Sequence, residues 1–166
     1  MGIAYIIDAV RTPLARVSKG QSALSSNRAD QLGAHVLRAL VERTGLDPAH
    51  VDDGVLGCVT QVGEQGANIS RNIVLAAGLP VTVPGTSVNR LCASSSQAFI
   101  FAAQGVMSGM MEMVAVLGVE SMNRVPMGSD VGPVNPKMGE RFAVVPQGPS
   151  AELIAPEGEM FGQVGD

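Results

Sequence analysis

The chain has 166 residues, enough for one domain with a sizeable core on a prior of roughly 150 residues per domain. Hydrophobic residues make up 46% of it but aromatics only 3%, so Gly, Ala, Val and Met carry the apolar content, a blend suited to closely packed α/β layers. A net charge of −4 without a basic run argues against nucleic acid, two distant cysteines without CxxC or paired histidines argue against zinc and redox motifs, and no apolar stretch reaches the ~20 residues that cross a bilayer, so a soluble, cytoplasmic chain is expected.

In chain order, Ile3 to Val10 is a near-continuous apolar run closed by Arg11-Thr12-Pro13, and its length and β-branching predict a buried strand. The polar stretch 14–27 predicts a surface loop. Leu32, Val36, Leu37 and Leu40 recur at helical spacing, which predicts a helix from about Ala29 to Thr44, with Ser26 or Asn27 as N-cap and Gly45 as stop. His35, Arg38 and Glu42 share its other face, so His35 is expected in solvent. The segment 47–54 is turn-rich and holds His50 among acidic residues.

Val55 to Thr60 predicts a second buried strand with Cys58 inside the core. Residues 61–71 form a glycine-containing loop that leads into a short helix ended by Gly78-Leu79-Pro80. There is no Walker lysine and no GxGxxG in it. A third strand is predicted over the β-branched run Val81, Val83, Thr86 and Val88. The stretch from Val88 to Gln97 then turns into a helix-like run, Ala98 to Met107. Cys92 therefore sits where a strand becomes a helix. A helix start carries unpaired N–H groups and a partial positive charge, which favour a thiolate and can hold the oxyanion of an acyl intermediate. On position alone Cys92 reads either as such a nucleophile or as a small core hydrophobe.

Phe99, Ile100, Phe101, Val106 and Met107 leave the helix after Cys92 almost no polar face, so it is expected to be covered by a further layer, from a partner subunit or from more chain. Met107, Met110, Met111 and Met113 cluster at its end, as gap-filling core or as an adaptable acyl surface. Met113 to Val119 predicts a fourth buried strand. Beyond Gly128 the chain is rich in Gly, Pro and Asp to about Ser150. Pro149 can occupy a first helical turn, and Pro156 interrupts that helix soon after.

The run Val88-Asn89-Arg90-Leu91-Cys92-Ala93-Ser94-Ser95-Ser96-Gln97-Ala98 resembles the acyl-enzyme signature of the thiolases, which cleave or form β-ketoacyl-CoA. Four further segments resemble the same family: Arg11-Thr12-Pro13, as a structural first turn, the order Gln, Gly, Gly, Asn, Arg within 61–71, the segment from Gly118 to Met127 (with Asn123 where Ser is usual), and 147–155. The resemblance implies an α/β fold, the N-terminal half of a thiolase-like fold: a mixed, mostly parallel sheet with flanking helices and a buried helix after the nucleophile. It implies a domain over 1–120, the start of a loop domain over 121–155, and a divergent tail over 156–166. It further implies Cys92 as the acyl-accepting catalytic residue and Met127 in the acyl pocket. Coenzyme A and acyl-CoA are then substrates, with no permanently bound cofactor, no metal, no nucleic-acid or membrane partner, and a homodimer or homotetramer as the assembly.

The family's Gly-His-Pro histidine, second cysteine and oxyanion-hole Asn have no counterpart in these residues, and neither His35 nor His50 has the right context. The chain is thus expected to be a truncated acyltransferase of the thiolase type, or alternatively a catalytically silent half-domain. An unrelated cysteine hydrolase is disfavoured, because no histidine has a recognisable catalytic context.

Overall fold

Three short runs that end in Gly or Val pair side by side in the computed structural model, which describes residues 2–17 and 22–155. They are β1 (Asp53–Gly57), β2 (Gly85–Val88) and β3 (Val114–Gly118). All pairs are parallel, in the order β2-β1-β3. Gly54 to Gly57 stand opposite Gly85 to Val88, and Asp53 to Gly57 opposite Val114 to Gly118. The central strand β1 is buried along its whole length, as expected of a parallel strand covered on both faces.

The helices α1 (Ala29–Thr44) and α2 (Ile69–Ala76) form one covering layer, and α3 (Ser94–Ser108) forms the other. Glycines set the spacing. A Cβ on Gly54 would strike Val74 of α2 and one on Gly85 would strike the backbone of Arg71, whereas one on Gly57 would strike Ser95 of α3. Gly54 and Gly57 are three residues apart, so the pleat turns them to opposite faces. The main core lies between the sheet and α1–α2, where Leu37, Leu56, Ile69, Ile73 and Val74 are fully enclosed. Burying one such side chain is worth about 1.5–3 kcal/mol.

Helix α1 has the predicted bounds, and Gly45 ends it at φ 66 with its N–H on the carbonyl of Val41. Its N-cap is Arg28, not Ser26 or Asn27: the side chain of Gln31 reaches back to accept the Arg28 N–H at 3.2 Å, one half of a capping box. Strand β2 begins only at Gly85, because Pro84 has no N–H to give the ladder. Cys58 lies just beyond the end of β1, buried as expected.

The strand expected over Ile3 to Val10 does not form. The segment has no regular secondary structure and pairs with no strand, and Ile3, Tyr5, Ile6 and Ile7 are all exposed. It is tied at Gly2, whose N–H reaches the carbonyl of Met107, and at Asp8, which pairs with Arg43 at 2.8 Å. Between this segment, α1, α3 and β3 lies a cleft of about 930 Å³. A strand is defined by its neighbour's hydrogen bonds, and among the described residues none lies at the outer edge of β3. Apolar periodicity alone does not supply that neighbour.

Helix α3 buries Ser94, Gln97, Ala98 and Ala102 against the sheet, while Phe99, Ile100 and Phe101 stay about half exposed. Among the described residues, 131–155 belong to a separate unit. Its described part holds α4 (Pro136–Gly139) and α5 (Gln147–Ile154), with Pro149 in the first turn of α5 as expected. Pro156 and the divergent tail lie outside the described residues.

Candidate active site

In a parallel sheet the strands all end on one edge, so the residues following β1, β2 and β3 meet there. The connection leaving β1 runs to α2 on one face and that leaving β2 runs to α3 on the other, and such divergence opens a crevice at the carboxyl ends of the strands. Cys92 stands in the β2–α3 connection, exposed and free.

The turn that carries it is built by side chains. Asn89 accepts the Leu91 N–H on Oδ1 at 2.9 Å, an Asx turn, and donates from Nδ2 to the carbonyl of Val59 at 2.9 Å. Buried Ser94 accepts the Arg90 N–H at 2.9 Å and donates to the carbonyl of Leu91 at 2.6 Å. Clamped from both sides, Leu91 takes φ 48, a left-handed conformation rare outside glycine and costly enough to need such support. Cys92 follows it directly.

Helix α3 starts at Ser94, four residues before the apolar run that announced it. Its first turn rests on Gly57 and Gly118, which face each other across β1 and β3. A Cβ on either would overlap Ser95. Among the described residues no acceptor takes the N–H of Cys92, Ser95 or Ser96. An exposed thiol two residues before a fifteen-residue helix, with its own N–H unpaired, can attack an electrophilic carbonyl and offer the oxyanion a donor.

Two acidic residues knit the rim. Glu120, just past β3, accepts the N–H groups of Val59 at 2.8 Å and Thr60 at 3.3 Å and the Gln65 amide at 2.8 Å. Gln65 in turn accepts the Ser121 N–H at 2.7 Å. Glu64 takes Arg124 in a two-point pair of 2.7 and 2.8 Å and also accepts the Ala29 N–H at 3.3 Å. The Arg124 hydrogen bond holds the Glu64 carboxyl below its ordinary value. The Cys58 thiol is pushed up to about 12, first by burial and then by the Glu120 carboxylate 3.9 Å away.

Met127 is exposed in the segment that follows β3. His35 lies on the outer face of α1, and His50 precedes β1, at the opposite edge of the sheet from Cys92. These are the chain's only histidines. The sequence reading did not single out Asn89, Ser94 or Glu120. Asn two residues before a turn amide is a local signal for the first, whereas Glu120 meets partners 55 to 61 residues away and leaves no local trace.

Comparison with known proteins adds the following. Residues 4–145 match the family model described as thiolase, N-terminal domain. The chain is 40% identical over 178 residues to a beta-ketoadipyl-CoA thiolase of Acinetobacter baylyi, covering 96% of this chain and 43% of that protein. It is 45% identical over 139 residues to a steroid 3-ketoacyl-CoA thiolase of Mycobacterium tuberculosis, covering 84% and 32%. Among solved structures it resembles an Acat5 thiolase from Ascaris suum in complex with coenzyme A, with a TM-score of 0.61, 31% identity, and coverage of 69% of this chain and 29% of that one. The chain therefore spans less than half the length of the curated relatives it matches.

Proposed function

The chain belongs to the thiolase family, and from that premise we propose that it carries the acyl-accepting half of a thiolase-type acyltransferase, with Cys92 as nucleophile. In the degradative direction the Cys92 sulfur bonds to the ketone carbon of a β-ketoacyl-CoA. The bond between that carbon and the adjacent α-carbon then breaks. Acetyl-CoA leaves as its enolate, takes up a proton, and leaves a thioester on Cys92 that a second coenzyme A collects. The protein's own contribution is the exposed thiol just before the start of α3 together with the unpaired N–H of Cys92 itself, which suits the oxyanion of the tetrahedral intermediate. That juxtaposition is the observation that carries the proposal.

Coenzyme A and its acyl thioesters are the proposed substrates, with no resident cofactor, and Met127 is the proposed acyl contact. Residues 1–120 are proposed as the catalytic α/β domain and 121–155 as the start of a loop domain. The assembly proposed is a homodimer or homotetramer, supported by the half-exposed aromatics of α3. No helix among the described residues is long and apolar enough to cross a membrane, and both cysteines are free, in keeping with a cytoplasmic setting.

A second reading is favoured by the placement of the histidines. His35 and His50 both lie away from the edge that carries Cys92, so neither is set to draw its proton. On that reading the chain folds and takes an acyl group without turning over. Incubation with acetyl-CoA or acetoacetyl-CoA, with mass spectrometry of the Cys92 peptide and an assay of released coenzyme A, separates the two. A Cys92 adduct without sustained release is expected. Turnover by this chain alone would overturn the second reading, and absence of any adduct would overturn the first.

A further inference from the structure

Glu120 and Asn89 share no contact, yet one peptide unit away from each lies the same residue, Val59. The Glu120 carboxylate takes the Val59 N–H at 2.8 Å, and the Val59 carbonyl takes the Asn89 amide at 2.9 Å. Asn89 then holds the Leu91 N–H at 2.9 Å, and Leu91, at φ 48, delivers the chain into Cys92. The links run from the end of β3, through the connection after β1, to the turn after β2. The first link is charge-assisted and therefore the strongest of the series. A second link from Glu120, to the Thr60 N–H at 3.3 Å, and its bond to the Gln65 amide hold the carboxylate from the far side.

We propose that Glu120, acting through Val59 and Asn89, is a positioning residue for the Cys92 thiol. The proposal rests on the reading of Cys92 as acyl acceptor. Backbone bonds already join the strand ends, from the Cys58 N–H to the Val88 carbonyl at 3.1 Å and from the Val119 N–H to the Gly57 carbonyl at 3.2 Å, and the Glu120 series carries that tie on to the turn whose left-handed residue precedes Cys92. A chain of bonds in series has a signature that separate stabilising contacts lack: cutting it at either end has the same effect as cutting it at both.

The test uses the full chain and the variants Glu120→Gln, Asn89→Ala and the double variant. Glutamine keeps the shape of Glu120 but turns one acceptor oxygen into a donor facing an N–H. Acylation of Cys92 by acetyl-CoA is followed in single turnover over a range of acetyl-CoA concentrations, alkylation of the same residue by iodoacetamide is followed in parallel, and folding is monitored by circular dichroism. Each single variant is expected to lower the limiting acylation rate about tenfold, the scale of a modest misplacement, with the half-saturating acetyl-CoA concentration unchanged. Alkylation is expected to slow about fivefold, the effect of one hydrogen bond. The double variant is expected to be no slower than the singles. Folded single variants that acylate at the wild-type rate, or losses that multiply in the double variant, would overturn the relay. Asn89 and Glu120 are both exposed, so failure of one to fold leaves the other to decide. If the unaltered chain takes no acetyl group while alkylation shows the same series pattern, the acyl-acceptor reading falls and the relay stands.

Discussion

Gly57→Ala is expected to be among the most damaging single-methyl additions this chain can receive. The new Cβ would overlap the backbone N of Ser95 and the Ser94 carbonyl carbon, groups locked into the first turn of α3. Overpacking of this kind costs about 1–3 kcal/mol, and more where the obstacle is backbone. Removing the glycine's excess freedom in the unfolded chain returns only about 0.5–1 kcal/mol. A net loss near 2–3 kcal/mol corresponds to a fall in Tm of about 4–12 °C for a domain of this size. Gly118→Ala meets the side chain of the same Ser95 and not its backbone, so Ser95→Gly should rescue it. No such rescue is available to Gly57→Ala. Urea titrations of the three variants and the wild type measure the order directly. A Gly57→Ala variant as stable as wild type, or a Gly118→Ala variant that Ser95→Gly leaves unimproved, would refute the account of how α3 is seated.

Other expectations are equally direct. The Glu64 carboxyl is held below its ordinary value of 4.5 chiefly by Arg124, so the pair's stabilisation is complete above that value and is lost as pH falls through the lower folded one; the gap in urea midpoint between wild type and Arg124→Met should narrow on acidification, and a gap that does not change with pH would contradict it. Iodoacetamide at neutral pH should label exposed Cys92 and spare buried Cys58, whose thiol is pushed up to about 12, while denaturant should release both; equal native labelling by mass spectrometry would be the contrary result. Light scattering should show mass rising with concentration through the aromatic face of α3, and Phe101→Glu should reduce it; a wild-type chain that stays monomeric throughout would remove that face as an interface.

Ile3 to Val10 and Val55 to Thr60 looked alike as apolar runs, yet only the second became a strand, β1 in the middle of the sheet. Residue 55 finds β2 and β3 on either side, and residue 6 finds a cleft. Helix α1 was legible to the residue, because its period, its length and Gly45 are all local signals. Its cap was not, because Gln31 outcompeted the two residues that cap helices more often.

The pattern around Cys92 is likewise divided. A β-branched run, a cysteine and an apolar helix in succession between Val81 and Met107 are enough to place a thiol at a strand-to-helix turn, since each depends on neighbours in the chain. The left-handed Leu91 is held by Asn89 and Ser94 close by in the chain, whereas the glycine pair under Ser95 and the bonds that join Glu120 to Asn89 through Val59 depend on segments 23 to 61 residues apart. Sequence by itself therefore determined helix α1 and which sulfur stands at the turn before α3, but not which apolar runs become strands. Only the tertiary structure decided what holds that sulfur in place, because hydrogen bonds and close approaches between distant strand ends arise when the sheet brings those ends to one edge.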